Sequence, residues 1–289
     1  MKYQHFIITL FNLKIWGEDK HNQPTQTAEW LERRFMLFEQ YCLPSIKQQS
    51  VQNFTWLCLF DTETPVQYKE RMTRYEQEFP LLKTCYFSAA EASTFRIDDL
   101  SRRCRFIRDK VASLLNDDTD YVITTNVDND DCLHCDMVAA VQRHFQNDPR
   151  ETMFSMNLGL QYFPEMNAVM KMRYPHNHFL TLAEQTNKDF HTIEFYRHAE
   201  ARKQFFTKDI FEQPYWMEVV HSCNVSNDLR ITSRIRYTPI LGKASLSAYG
   251  LTLTIPASHN LKNFILTLPI YFAKSAVRKI KKKLSKDGK

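Results

Sequence analysis

Short apolar runs rich in β-branched and aromatic residues alternate with segments of helical period, and this alternation restricts the fold more than any other feature of the chain. The runs are "HFIITL" (His5–Leu10), "FTWLCLF" (Phe54–Phe60, followed by Asp61), "LKTCYFS" and "YVITT" (Tyr121–Thr125). Between them, Thr27 to Gln49 returns Trp30, Leu31, Phe35, Phe38, Tyr41 and Cys42 to one side. Val66 to about Phe79 and Leu100 to Leu115 show the same helical spacing. Strands buried on both faces and joined through helices predict an α/β fold, a Rossmann-type mainly parallel sheet with helices on both faces. Ligands collect at the carboxyl ends of such strands. Asp61, Asp128, Asp130 and Asp131 stand at those ends.

After Thr152 the alternation loosens. "TMFSMN" and "AVMKMRY" are expected to pair as a hairpin, and "YWMEVVHSCN" to form a strand running to His221. No linker interrupts the chain before about residue 257, so one domain is expected over 1–256 and a tail over 257–289.

Composition excludes several functions. The five glycines are scattered, whereas a dinucleotide fingerprint or a Walker loop clusters glycines so that backbone N–H groups reach phosphate. Phosphate must therefore be met by another route. Seven scattered cysteines suit reduced thiols, and the first residues carry His5, Asn12 and Lys14 too early for a secretory signal, so a cytoplasmic location is expected. The net charge is +5, but from Lys274 onward eight Lys or Arg face one acid, Asp287. With that segment removed from totals of 38 basic and 33 acidic residues, the remainder is slightly acidic, which argues against a nucleic-acid surface.

The stretch "YVITTNVDNDDCLHCDM" raises the question of a metal. Hard divalent ions such as Mg2+ or Mn2+ take few protein carboxylates, with phosphate and water filling the shell, and an Asp-x-Asp at a strand end supplies that. The same "DNDD" also suits a turn and N-cap before a helix starting near Cys132. A calcium loop from Asn126 would need glycine and an acid where Asp131 and Met137 stand. Zinc at Cys132, His134 and Cys135 lacks a second Cys/His pair for a four-ligand site, so "CLHC" reads as helix packing.

The order "HFIITLFN", "LPSIKQQSVQNFTWLCLFD" and "RFIRDKVASLLNDDTDYVITTNVDNDD" resembles the nucleotide-sugar glycosyltransferases of the GT-A fold, especially their large inverting family. "WLERRFMLFEQYCLPSIKQQS", "VDNDD", "NHFLTLAE" and "WMEVVHSCNVSN" are similar to rhamnosyltransferases of bacterial surface polysaccharide synthesis; the resemblance runs from about His5 to Asn227. It implies that Asp61 contacts the nucleobase and that Arg108 lies near the nucleotide. It also implies that Asp128 and Asp130 hold a Mn2+ or Mg2+ ion with the ribose-diphosphate, and that His221 completes the metal shell. Leu10 and Asn126 stand where related sequences are expected to carry Arg, which leaves the donor open.

Such an enzyme moves a sugar from a nucleotide-sugar donor to a glycan or lipid-linked saccharide, and inversion needs one base for the acceptor hydroxyl. Glu184, Glu218 and Asp131 are the candidates. A transferase-like domain that only binds glycan or membrane is the alternative. From Ile270, the residues Ile270, Ala273, Ala276, Val277, Ile280 and Leu284 share one side of a helical projection and most lysines the other. This predicts a basic amphipathic helix on an anionic membrane surface, each base adding on the order of 1 kcal/mol. The expected location is peripheral, on the inner face of the cell membrane.

Overall fold

The computed structural model describes residues 1–13, 24–25, 27–87, 97–175, 177–196, 202–221, 236–266 and 269. The expected amphipathic helix from Ile270 lies outside the described residues. In chain order the strands are β1 (Tyr3–Leu10), β2 (Thr55–Asp61), β3 (Leu82–Phe87), β4 (Tyr121–Asn126), β5 (Cys132–Leu133), β6 (Thr152–Met156) and β7 (Leu158–Phe163). They continue with β8 (Ala168–Arg173), β9 (Leu180–Gln185), β10 (Thr207–Ile210), β11 (Trp216–Val219), β12 (Arg236–Pro239), β13 (Ala244–Ser245) and β14 (Thr254–Ile255). The helices are α1 (Ala28–Leu37), α2 (Leu43–Lys47), α3 (Val66–Glu78), α4 (Ile97–Ala112) and α5 (Met137–Asn147).

Seven strands form the main sheet in the order β10-β6-β9-β4-β1-β2-β3. β3, β2, β1 and β4 are mutually parallel, and β9 alone of the seven runs against its neighbours β4 and β6. Successive side chains of β1 alternate between two apolar layers. Ile7 joins Leu31 and Phe35 of α1, Tyr68 and Met72 of α3, and Val141 and Phe145 of α5; Phe6 and Ile8 join Ile107 and Val111 of α4. Helices thus cover both faces, and the fold is the α/β class expected.

A second sheet, in the order β12-β8-β7-β11-β5, corrects two expectations. The hairpin partner of β8 is β7, with Leu158 opposite Arg173, whereas Thr152–Met156 enters the main sheet beside β9. Cys132 and Leu133 do not open a helix: they pair with Met217 and Trp216 of β11, and α5 begins only at Met137. The aspartate loop is therefore stretched between β4 of one sheet and β5 of the other.

Past α1 the helix does not break at Pro44. Residues Phe38–Cys42 form a π-turn in which the Leu43 N–H bonds to Phe38 O. Proline lacks an N–H and its ring collides with the carbonyl four residues back, and the wider turn relieves that conflict. Beyond β14, residues 257–266 are helical, and Asn260 ties them to the domain by accepting the Val169 N–H (2.9 Å) and donating to Gly242 O (2.9 Å).

Gly159 faces Trp216 across the β7–β11 pair, and a Cβ there would lie 2.3 Å from the indole carbons. Trp216 is itself fixed by stacking on Phe179 (4.7 Å, 11°) and by its Nε1–H to Met156 O at 2.6 Å. Gly159→Ala is accordingly expected to destabilise the domain by about 1–3 kcal/mol in urea unfolding, the usual cost of overpacking.

Candidate functional site

Four elements converge on the loop after β4. Asn126 ends β4, and its Nδ2 donates to His178 O at 3.1 Å. His178 precedes β9, whose antiparallel register sets Thr181 opposite Thr125, so the beginning of β9 lies beside the end of β4. β11 brings Glu218 and Val219, and His221 follows it. Helix α1 contributes Arg34.

Two linked clusters result. In the first, Asp131 is fully buried; its Oδ1 accepts the Val219 N–H at 2.8 Å, and its Oδ2 lies 2.9 Å from His178 Nε2. His178 Nε2 is also 3.8 Å from Oδ2 of Asp128, whose side chain is 49% exposed. Burial pushes the Asp131 carboxyl up to about 8, against the opposing His178 hydrogen bond. Burial alone would lower His178, but its hydrogen bond to the Asp131 carboxylate and the charges of Asp128, Asp131 and Glu218 raise it to about 9. The two side chains share protons across this contact, which an ion bound beside Asp128 would have to displace.

In the second cluster, Arg34 grips Asp130 with both ends of its guanidinium, Nη1 to Oδ2 at 2.8 Å and Nη2 to Oδ1 at 3.0 Å. His221 Nε2 lies 2.9 Å from Asp130 Oδ2, and Arg34 Nη2 also donates to Asn129, which in turn donates to Phe11 O at 3.1 Å. Burial alone would raise Asp130, yet the Arg34 charge and the His221 contact hold its carboxyl well below the usual carboxylate range.

The other candidates fall in different places. Asp61, 1% exposed at the end of β2, accepts the Glu63 N–H at 2.7 Å, while its own N–H donates to Asn12 Oδ1 at 3.1 Å. Asn12 also donates to Thr64, so a polar network lines this edge. Arg108, on α4, is drawn to Asp109 (2.8 Å) and Asp189 (2.7 Å). Glu218 accepts from Gln161 at 2.8 Å beside the first cluster. Glu184 is not brought to the aspartates. It pairs with Val122, six positions before Asp128 and roughly 20 Å away along the strand.

Glu184 instead accepts the N–H groups of His191 (3.1 Å) and Thr192 (2.9 Å), fixing a loop in which Thr192 adopts φ 73°. Burial raises its pKa from 4.5 to about 7, so the folded state keeps a proton that the unfolded chain releases. Its contribution to stability is full below pH 4.5 and is lost as pH rises through 7, on the order of 3 kcal/mol between the two. The stability difference between wild type and Glu184→Gln should shift by that amount across this window in melting experiments. Buried His5, pushed down to about 3, acts in the opposite sense below pH 6.5, and the comparison with the variant cancels it.

The sequence matches the family described as "Putative rhamnosyl transferase" over residues 19–233, well over half of the chain. The chain belongs to this family. No curated protein matches it. Among solved structures, S. aureus TarS 1-349 is similar with a TM-score of 0.42 and 9% identity, covering 76% of this chain and 60% of that one. TarS 1-349 in complex with UDP-GlcNAc gives 0.37 and 9%, covering 78% and 60%. A protein described as a "putative nucleotide-diphospho-sugar transferase" from Desulfovibrio desulfuricans G20 gives 0.36 and 8%, covering 74% and 82%. The chain thus spans less than two thirds of the TarS structures.

Two groups of side chains in this rhamnosyl transferase family member bring three ligand atoms within 4.8 Å of one another among the described residues. Asp128, Asp131 and His178 combine two carboxylates with an imidazole, a donor set that fits Mn2+ better than Mg2+. Asp130 and His221 lie next door, but the Arg34 guanidinium already neutralises Asp130. The other group, His134, Cys135 and Asp136, is a single turn in which His134 Nδ1 accepts the Asp136 N–H at 3.1 Å, while the Cys132 thiol points to Tyr41 O. Three successive donors do not make a four-ligand zinc site.

Arg34, Asn129, Gln161 and His178 were not singled out from the sequence. Arg34 carried a usable signal: it shares the apolar side of α1 with Leu31 and Phe35, where an unpaired charge would be costly, so it needed a buried acid. His178 carried none, because its position depends on the direction of β9.

Proposed function

We propose that this chain is a divalent-metal-dependent transferase that moves a sugar from a nucleotide-sugar donor to a hydroxyl of a glycan or lipid-linked saccharide, with inversion. Rhamnose is the sugar that the family description supports. The observation that carries the reading is the Asp128, Asp131 and His178 group at the carboxyl end of β4, where an open α/β sheet places its ligands.

Asp128, Asp131 and His178 would hold the ion; once bound, it supplies positive charge against the departing nucleoside diphosphate, the task that glycine-rich loops perform elsewhere. Val219 and Asn126 fix Asp131 and His178 for that role. Arg34 and His221 keep Asp130 ionised beside them. Of the carboxylates considered for the acceptor proton, Glu218 and Asp131 adjoin this centre, and Glu184 lies at the far end of its strand.

A thermal-shift screen of nucleoside diphosphates and nucleotide sugars, with and without Mn2+, tests the reading. One base should raise the melting temperature in a Mn2+-dependent manner, and its nucleotide sugar should be consumed. Stabilisation without consumption, given an acceptor extract, would favour a transferase-like fold that only binds glycan or membrane. No stabilisation by any nucleotide would remove the donor site.

A further inference from the structure

The helix over residues 257–266 is inverted relative to an ordinary surface helix. Its domain-facing side holds polar residues, with Asn260 at 2% and Asn263 at 1% exposure. Its outer side carries Leu261 (47%), Ile265 (58%) and Leu266 (51%) among the exposed Ser258, His259 and Lys262. Asn260 bonds to Val169 of the second sheet and to Gly242 O, so the helix is anchored through this residue rather than exposed by fraying. A helix held by its polar side, with three large aliphatic side chains and a lysine outward, presents an amphipathic surface suited to an apolar boundary with charged groups at its rim.

We propose that this face docks on an anionic lipid surface, with Leu261, Ile265 and Leu266 entering the acyl boundary. Two observations favour lipid over a second copy of the chain. Three side chains on one short helix offer far less than the roughly 800 Å² per partner that a stable protein interface buries. The residues that follow are charge-complementary to anionic headgroups, with eight Lys or Arg and one acid between Lys274 and Lys289. No described helix is long and apolar enough to cross a membrane. This surface would hold the catalytic domain beside a lipid-linked acceptor, at the inner face of the membrane. The docking inference itself stands independently of the sugar-transfer reading.

The test is co-sedimentation of the full chain with phosphatidylcholine vesicles, with and without phosphatidylglycerol, for wild type and for the triple variant Leu261→Ser, Ile265→Ser, Leu266→Ser. The wild type should bind the phosphatidylglycerol vesicles. The variant, with its basic segment intact, should bind about tenfold or more weakly while keeping its melting temperature and its Mn2+-dependent nucleotide shift. Equal binding by the two proteins, or no binding by the wild type, overturns the proposal. So does a wild-type dimer in light scattering that the variant dissociates, since a second copy would then be the occupant.

Discussion

Arg34→Ala is expected to cost about 3–5 kcal/mol in urea unfolding, the largest stability loss from any single change in the site. The guanidinium side chain is 11% exposed and Asp130 only 5%, so its removal takes a bidentate partner from a buried carboxylate. The penalty is mainly that of taking two charged hydrogen bonds from a buried carboxylate, not the net worth of the ion pair. Arg34→Ala combined with Asp130→Asn should therefore lose markedly less than the sum of the two single changes. Additive losses, or a cost under about 1 kcal/mol for Arg34→Ala, would show that Asp130 does not depend on Arg34.

The sheet was legible because parallel strands buried on both faces must be continuous apolar runs, and "FTWLCLF" and "YVITTN" are almost entirely buried in β2 and β4. The second sheet was less so. β5 is two residues long, and its strand character comes only from pairing with β11 more than eighty residues later, which local pattern does not encode. Glu184 illustrates the same limit. At the carboxyl end of a parallel strand it would have reached the aspartates, but β9 runs antiparallel, so its carboxyl end meets the beginning of β4 and its amino end delivers His178 instead. The position of the aspartates after β4 was legible, whereas the division of their contacts was not. That division depends on Arg34 reaching Asp130 from a helix nearly a hundred residues earlier.

The second large effect concerns catalysis. Asp128 is half-exposed, and its side chain's ion pair among the described residues is a 3.8 Å approach to His178, so Asp128→Ala should leave the melting temperature within about 2 °C of wild type. As the accessible member of the proposed ion-binding group, it should nonetheless cost about a hundred- to a thousandfold in turnover, equivalent to about 2.7–4 kcal/mol of transition-state stabilisation. Such a split between intact stability and lost turnover is what a ligand-binding carboxylate produces and a structural one does not.

The most direct measurement is release of nucleoside diphosphate from the nucleotide sugar identified by the thermal-shift screen, followed against Mn2+ concentration for wild type and Asp128→Ala. Wild-type release should saturate with Mn2+ and vanish in chelator, while the variant stays folded and falls by at least a hundredfold. Release that is indifferent to Mn2+, or equally fast in both proteins, would contradict the assignment of Asp128, Asp131 and His178 as the centre that sustains sugar transfer.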